Sequence, residues 1–151
     1  MRRNAKEPVA VDALGRVTWA LRRAEVAVQA RKEQRLRPLG MAAAHYSLLV
    51  SIHAEPGLTG AELARRLHVT PQAVAALVAR LEEQGLLERR SHPRHRHVQE
   101  LHLADAGHEA LRAADAVIVG IEQRIIKALG PEETTRLTAL LGRVADAVRE
   151  P

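Results

Sequence analysis

The chain has 151 residues, 46% of them apolar and 27% charged, with 23 Lys plus Arg against 18 Asp plus Glu and a net charge of +5 when the histidines are neutral. That length suits one domain with a real core, and the basic surplus favours an anionic partner such as nucleic acid. The absence of cysteine excludes disulfides, thiolate metal sites and cysteine nucleophiles, and Trp19 and Tyr46 alone cannot form the aromatic platforms that RNA and single-strand binders need.

Residues 1–8 are polar and are expected to fray. The start, MRRNAKEP, is not that of a signal peptide, and no apolar run approaches the roughly 18 residues that span a bilayer, so the expected location is the cytoplasm and no membrane contact is expected. From Val11 to about Leu36 the apolar positions Leu14, Val17, Leu21, Ala24 and Val28 keep a helical period, flanked by Arg16, Arg22, Arg23, Arg31, Lys32 and Arg35, until Pro38 and Gly40 stop it. Trp19 lies off this stripe; it either packs against a neighbouring helix or subunit, or lines a ligand cavity. Met41 to Ala54 is predicted as a second helix with Tyr46, Leu49, Val50 and His53 on one side, ended by Glu55-Pro56-Gly57.

The segment LTGAELARRLHV is predicted as a short helix opened by a Thr59/Glu62 capping box. Only Leu67-His68-Val69 separates it from VTPQAVAALVARLEEQGL, residues 69–86. In that stretch Thr70 suits the N-cap, Pro71 the first helical position, and Gly85 a left-handed C-cap. Val74, Leu77, Val78 and Leu81 make one apolar face, while Gln72, Ala73, Ala75, Ala76, Ala79 and Arg80 make a small, nearly uncharged one that can approach a surface closely. Two short helices joined by so tight a turn form a helix-turn-helix candidate, an arrangement also found in plain bundle packing.

After Gly85 the period changes from helical to alternating. Residues 86–90 and 98–103 read as two strands, with Leu101 and Leu103 on one face, around a polar SHPRHRH tip. Asp105 to Leu129 is predicted as a long helix bearing Leu111, Ala114, Val117, Ile118, Ile121 and Ile125. Glu132 to Arg149 is the last, with Leu137, Leu140, Leu141, Val144 and Val148. The fold class is therefore mainly α: a winged helix-turn-helix over residues 41–103, flanked by dimerisation helices at 1–40 and 104–151, within one structural domain. The terminal stripes need cover, and pairing with a second copy supplies it, giving a homodimer that presents two matched half-site readers to double-stranded DNA.

The run LARRLHVTPQAVAALVARLEEQGLLERRSHPRHRHVQELHLADAG resembles the MarR family of bacterial transcription regulators, in which the recognition helix leads through an "LExxGLxxR" turn into the wing. The resemblance implies a dimer with a wing, a palindromic operator, repression of a neighbouring gene, and release by a small aromatic or phenolic effector. It places Arg96 on the wing arginine that enters the minor groove. Three departures stand out. The family's "DPxDRR" becomes His92-Pro93-Arg94-His95-Arg96-His97, so His95 replaces the bracing Asp. Ala75 and Ala76 replace the usual Thr and Arg, so base reading leans on Thr70, Gln72 and DNA shape. The "LT" before the long helix is Leu103-Ala104, which leaves Asp105 as a partial cap near the positive helix end.

The expected DNA contacts are Thr70, Pro71, Gln72, Ala75 and Ala76 in the major groove, Arg80 on phosphate, and Arg94, His95 and Arg96 at the wing. No enzyme is indicated, because there is no glycine-rich phosphate loop, serine elbow or motif-placed carboxylate pair, and no cofactor is expected. The effector candidates are Trp19, His45 and Tyr46, with Arg22 or Arg23 to meet a carboxylate; the same residues can equally serve as packing at the junction of lobe and dimer helices. No metal ligand set is assigned. His92, His95, His97 and His102 nevertheless offer a different reading, a metal-responsive regulator, and their protonation would add positive charge beside DNA. The Ala-rich recognition face leaves a third, a dimeric interaction module with weak DNA binding.

Overall fold

The computed structural model describes residues 12–149. Among these, four helices, a β-hairpin and two further helices follow in the predicted order: α1 (Val17–Leu36), a single 3-10 turn (Arg37–Leu39), α2 (Ala43–Ala54), α3 (Gly60–Leu67), α4 (Pro71–Glu83), β1 (Leu87–Ser91), β2 (Gln99–Leu103), α5 (Asp105–Leu129) and α6 (Pro131–Val148). The expected helix start at Val11 and the polar residues 1–8 lie outside the described residues.

The first helix begins later than its periodicity predicts. Asp12 and Ala13 are helical, but the N–H groups of Gly15 and Arg16 bond to Asp12 O and Ala13 O, each at 3.2 Å, and close a turn before Val17. The predicted stripe of α1 is also not a buried one within the chain: Leu14 is 61% and Val17 66% exposed, and only Leu36, at its far end, is fully enclosed. The 3-10 turn ends at Gly40, whose φ of +67° is a left-handed conformation that glycine adopts without Cβ strain.

Helix α2 starts at Ala43 rather than Met41, and its cap comes from elsewhere in the fold. Ala42 has no side-chain acceptor, so His45 Nδ1 accepts its N–H at 3.1 Å, and Glu33 Oε1 from α1 accepts that of Ala43 at 3.1 Å. The side of α2 that carries Tyr46, Leu49, Val50 and His53 is only partly its buried face. Leu48, Leu49 and Ile52 are fully buried together with His45, whereas Tyr46 and Val50 are half-buried and His53 is exposed.

The helix-turn-helix follows its local signals closely. Thr59 and Glu62 form the capping box, with Thr59 N–H to Glu62 Oε2 at 2.8 Å and Glu62 N–H to Thr59 Oγ1 at 3.3 Å. At the turn, His68 takes φ +53°, and the Val69 N–H reaches back to Ala64 O at 3.1 Å. Thr70 Oγ1 then accepts the Ala73 N–H at 3.1 Å. Helix α4 closes with a Schellman motif, in which Leu86 N–H bonds Leu81 O and Gly85 N–H bonds Glu82 O, both at 2.9 Å, with Gly85 at φ +72°.

The hairpin pairs Leu87 with Leu103, Arg89 with Leu101 and Ser91 with Gln99. Leu87, Leu101 and Leu103 face inward, and Leu58 adds a one-residue bridge to Leu101 on the free edge of β2, an element the sequence did not announce. The turn into α5 is close-packed. Leu86 O accepts the Ala104 N–H at 3.0 Å, and a Cβ on Gly107 would lie 2.1 Å from that same carbonyl oxygen. Helix α5 is then the spine. α1, α2, α6 and β2 all pack on it, and Leu111, Ala114, Ile118 and Ile121 complete a continuous core that reaches back to Leu36, Leu63 and Leu81. Helix α6 buries no residue in the single chain.

Candidate nucleic-acid interface

Helix α4 is held by one face and offers the other. Val74, Val78 and Leu81 are at most 2% exposed, while Thr70, Pro71, Gln72, Ala75, Ala76 and Arg80 all lie on the surface. The cap occupies the acceptor side of the Thr70 hydroxyl and leaves its proton available to a partner. Beside Pro71 and Ala75 a groove of about 210 Å³ is walled by Gly60 and Ala61 of α3 and by Arg89 and Gln99 of the hairpin. Arg89 also pairs with Glu82 on α4, which ties the wing to the end of this helix. Arg89 is the arginine that ends the LExxGLxxR run, whereas Gln99, brought in by the second strand of the hairpin, has no local signature.

The hairpin tip carries Arg94, His95, Arg96 and His97, all exposed, and among the described residues neither arginine has a carboxylate within 4.0 Å. The tip is organised by histidine. His92 Nδ1 accepts the Arg94 N–H at 3.1 Å, and the His92 and His95 rings stack with centroids 5.2 Å apart. His95, at the position of the family's bracing Asp, therefore lies against His92. At the base of the hairpin, Glu100 meets His102 Nε2 at 3.2 Å and His92 Nε2 at 3.8 Å. Among the described residues no three His, Asp or Glu side chains converge as a metal ligand set.

The four effector candidates are not brought together in the single chain. Tyr46 lines a cleft of about 430 Å³ between α2 and α5 with Val50, His53, His108, Leu111, Arg112 and Asp115. Its hydroxyl donates to Asp115 Oδ1 at 2.9 Å; burial, then this bond, push the phenol up to about 12. His45 is outside that cleft and serves α2 as a cap. Burial, reinforced by the Arg80 guanidinium, holds its imidazole below the ordinary value. Trp19 and Arg22 lie apart from both, on an open concavity along α1 with Arg23 and Val26. His53 and His108, edge to face at 5.6 Å, and Arg112 are the cleft residues that sequence reasoning passed over. They come from two helices about sixty residues apart, so only the packing of α2 on α5 joins them.

Residues 39–96, from the end of the 3-10 turn to the wing arginine, match the sequence profile described as the MarR family. Over these residues the chain resembles the MarR family. It is 28% identical over 109 residues to the "HTH-type transcriptional repressor Rv2887" of Mycobacterium tuberculosis, a match that covers 72% of this chain and 78% of that protein. Its fold superimposes on the transcriptional repressor CouR bound to a 23-mer DNA duplex with a TM-score of 0.83, at 26% identity, covering 89% of this chain and 96% of CouR. CouR bound to p-coumaroyl-CoA superimposes with a TM-score of 0.78, covering 92% and 98% of the two chains. The MarR-family likeness thus extends well beyond the helix-turn-helix, into the flanking helices. No helix among the described residues is long and apolar enough to cross a membrane.

Proposed function

We propose that this chain is a cytoplasmic, homodimeric, sequence-specific DNA-binding repressor of the MarR family, without enzymatic activity. Residues 41–103 form its DNA-binding lobe, and residues 1–40 and 104–151 form its dimer. The observation that carries this reading is the pairing of a clamped helix and an uncompensated wing: α4 is anchored through Val74, Val78 and Leu81, and the adjacent hairpin ends in two arginines without ion-pair partners among the described residues. In this arrangement Thr70, Pro71, Gln72, Ala75 and Ala76 meet the major groove, Arg80 meets phosphate, and Arg94, His95 and Arg96 meet the minor groove. The likeness to CouR on its duplex supports the pose.

Release is assigned to a small aromatic or phenolic acid in the Tyr46 cleft. Val50 and Leu111 supply apolar walls, and Arg112, His53 and His108 supply donors for an anionic group. Such a ligand acts only if it binds the DNA-competent and DNA-incompetent states unequally, and a cleft between α2 of the lobe and α5 of the spine is placed to sense their relative position. The likeness to CouR with p-coumaroyl-CoA supports an aromatic acyl ligand class.

The test is fluorescence anisotropy with the DNA upstream of the protein's own gene and a scrambled duplex, across a salt series and then with added phenolic acids. The expected result is tighter binding to the upstream duplex, a steep linear loss of affinity with log salt, and release by the acid. Equal affinity for both duplexes at every salt concentration would overturn the reading.

A further inference from the structure

Helices α1 and α5 leave between them a second cleft, of about 390 Å³, that shares no residue with the Tyr46 cleft. Three arginines rim it, Arg31 and Arg35 from α1 and Arg124 from α5, over a floor of Val117, Gly120 and Ile121. Arg31 and Arg35 sit one turn apart on the same helix face, a spacing at which like charges repel and which does nothing for the helix itself. Among the described residues no carboxylate lies within 4.0 Å of either guanidinium. Among the described residues, the arginines that pair with carboxylates are Arg66, Arg89, Arg90, Arg136 and Arg149. Arg31 has one hydrogen bond, to the neutral Gln34 at 2.9 Å, and Glu33, the acidic residue between the two arginines, is turned away to cap α2.

The floor has a different character from the rim. Ile121 is buried, Val117 is half-buried, and a Cβ on Gly120 would meet nothing within 4 Å, so the middle of the cleft is open and apolar. Guanidinium groups match phosphate oxygens two at a time, and their flat faces also stack on rings. A phosphate or diphosphate, with more oxygens and more charge than a simple carboxylate, suits a rim of three guanidinium groups better. The volume falls within the range of small-molecule sites, about 300 to 1,000 Å³.

We propose that this cleft binds an organic phosphate of nucleotide size, its phosphates held by Arg31, Arg35 and Arg124 and its body laid over Val117, Gly120 and Ile121. The site stands independently of the DNA-binding reading, and its test contains no DNA. Isothermal titration of the full-length protein with ADP, inorganic pyrophosphate and adenosine is expected to rank them in that order of affinity. Arg35→Ala and Arg124→Ala each weaken ADP and pyrophosphate about tenfold, the equivalent of losing one charge-assisted contact. Gly120→Leu, which fills the floor and keeps the charges, weakens ADP and leaves pyrophosphate unchanged. Sedimentation and thermal melts of the same variants, unchanged from the parent, exclude a folding or assembly effect. No saturable binding of ADP or pyrophosphate at millimolar concentration overturns the proposal, as does binding indifferent to the arginines. Arginine variants that change the oligomeric state overturn it too, because they show the rim to be occupied by carboxylates of a second copy.

Discussion

Gly107 shows how one residue type can carry a junction. Its missing side chain lets the first turn of α5 approach the Leu86 carbonyl so closely that a Cβ would stand 2.1 Å from the oxygen, a backbone atom tied to Ala104 N–H and unable to move alone. Gly107→Ala is expected to destabilise the fold by about 1 to 3 kcal/mol, the usual cost of overpacking, or more if the hairpin shifts; a thermal melt unchanged from the parent would count against this. His45 is a residue whose charge matters through burial. Its neutral imidazole accepts the Ala42 N–H while Arg80 discourages protonation and Glu33 weakly favours it. The unfolded chain takes up a proton near the ordinary value of 6.5 and the folded chain only below it, so stability is full above that value and is lost as pH falls beneath it. His45→Gln keeps an acceptor at the third helical position without the titration. Denaturant midpoints measured between about pH 7.5 and about pH 5.5 should therefore fall less for the variant than for the parent. At the wing, Arg96→Ala is expected to weaken operator binding by roughly 1 to 3 kcal/mol and to lower the salt slope by about 1. A salt titration superimposable on the parent's would remove Arg96 from the interface.

Among elements, the helix-turn-helix was the most legible part of the chain, because its signals are local. A capping box, an N-cap followed by proline, a four-residue apolar stripe and a glycine C-cap each act within a few residues, and the structure realises each of them. Thr59→Ala removes the two bonds of the Thr59 hydroxyl and leaves the backbone arm to Glu62 in place; it is expected to cost about 1 kcal/mol, read as a lower melting temperature with the exposed face of α4 unchanged. The neighbouring helix α2 was less legible for the converse reason. Its cap comes from Glu33, ten residues upstream on another helix, and its buried face is set by what packs against it. Tyr46, Leu49, Val50 and His53 could be placed on one side of α2, but of these only Leu49 is fully enclosed, and Leu48 and Ile52 complete the buried face. The Leu58 bridge had no periodicity to betray it, since a single residue has no period.

The whole molecule carries an unfinished surface. Leu14 in the turn before α1, Val17 and Val26 on α1, and Leu137, Leu140 and Leu141 on α6 remain between 38% and 66% exposed, far more apolar area than scattered surface residues explain. A second copy covering these helices accounts for it, and Leu140→Glu with Leu141→Glu is expected to yield monomer in sedimentation and to reduce operator affinity at least tenfold, because a single wing and helix hold DNA weakly. A dimer that survives the double change would mean that other surfaces make it.

By itself the sequence determined the order of elements, the limits of α5, the turn and caps of the helix-turn-helix, the hairpin with its basic tip, and the resemblance to the MarR family. All of these rest on interactions between residues near one another in the chain, or on periodicities that span one element. Only the tertiary structure decided which face of α2 is buried, that α5 is the spine of the core, that Trp19, Arg22, His45 and Tyr46 lie in three separate places, and that arginines from α1 and α5 rim one cleft. Those outcomes depend on how helices far apart in sequence lie against each other, and that geometry follows from the summed packing of the whole core rather than from any single stretch.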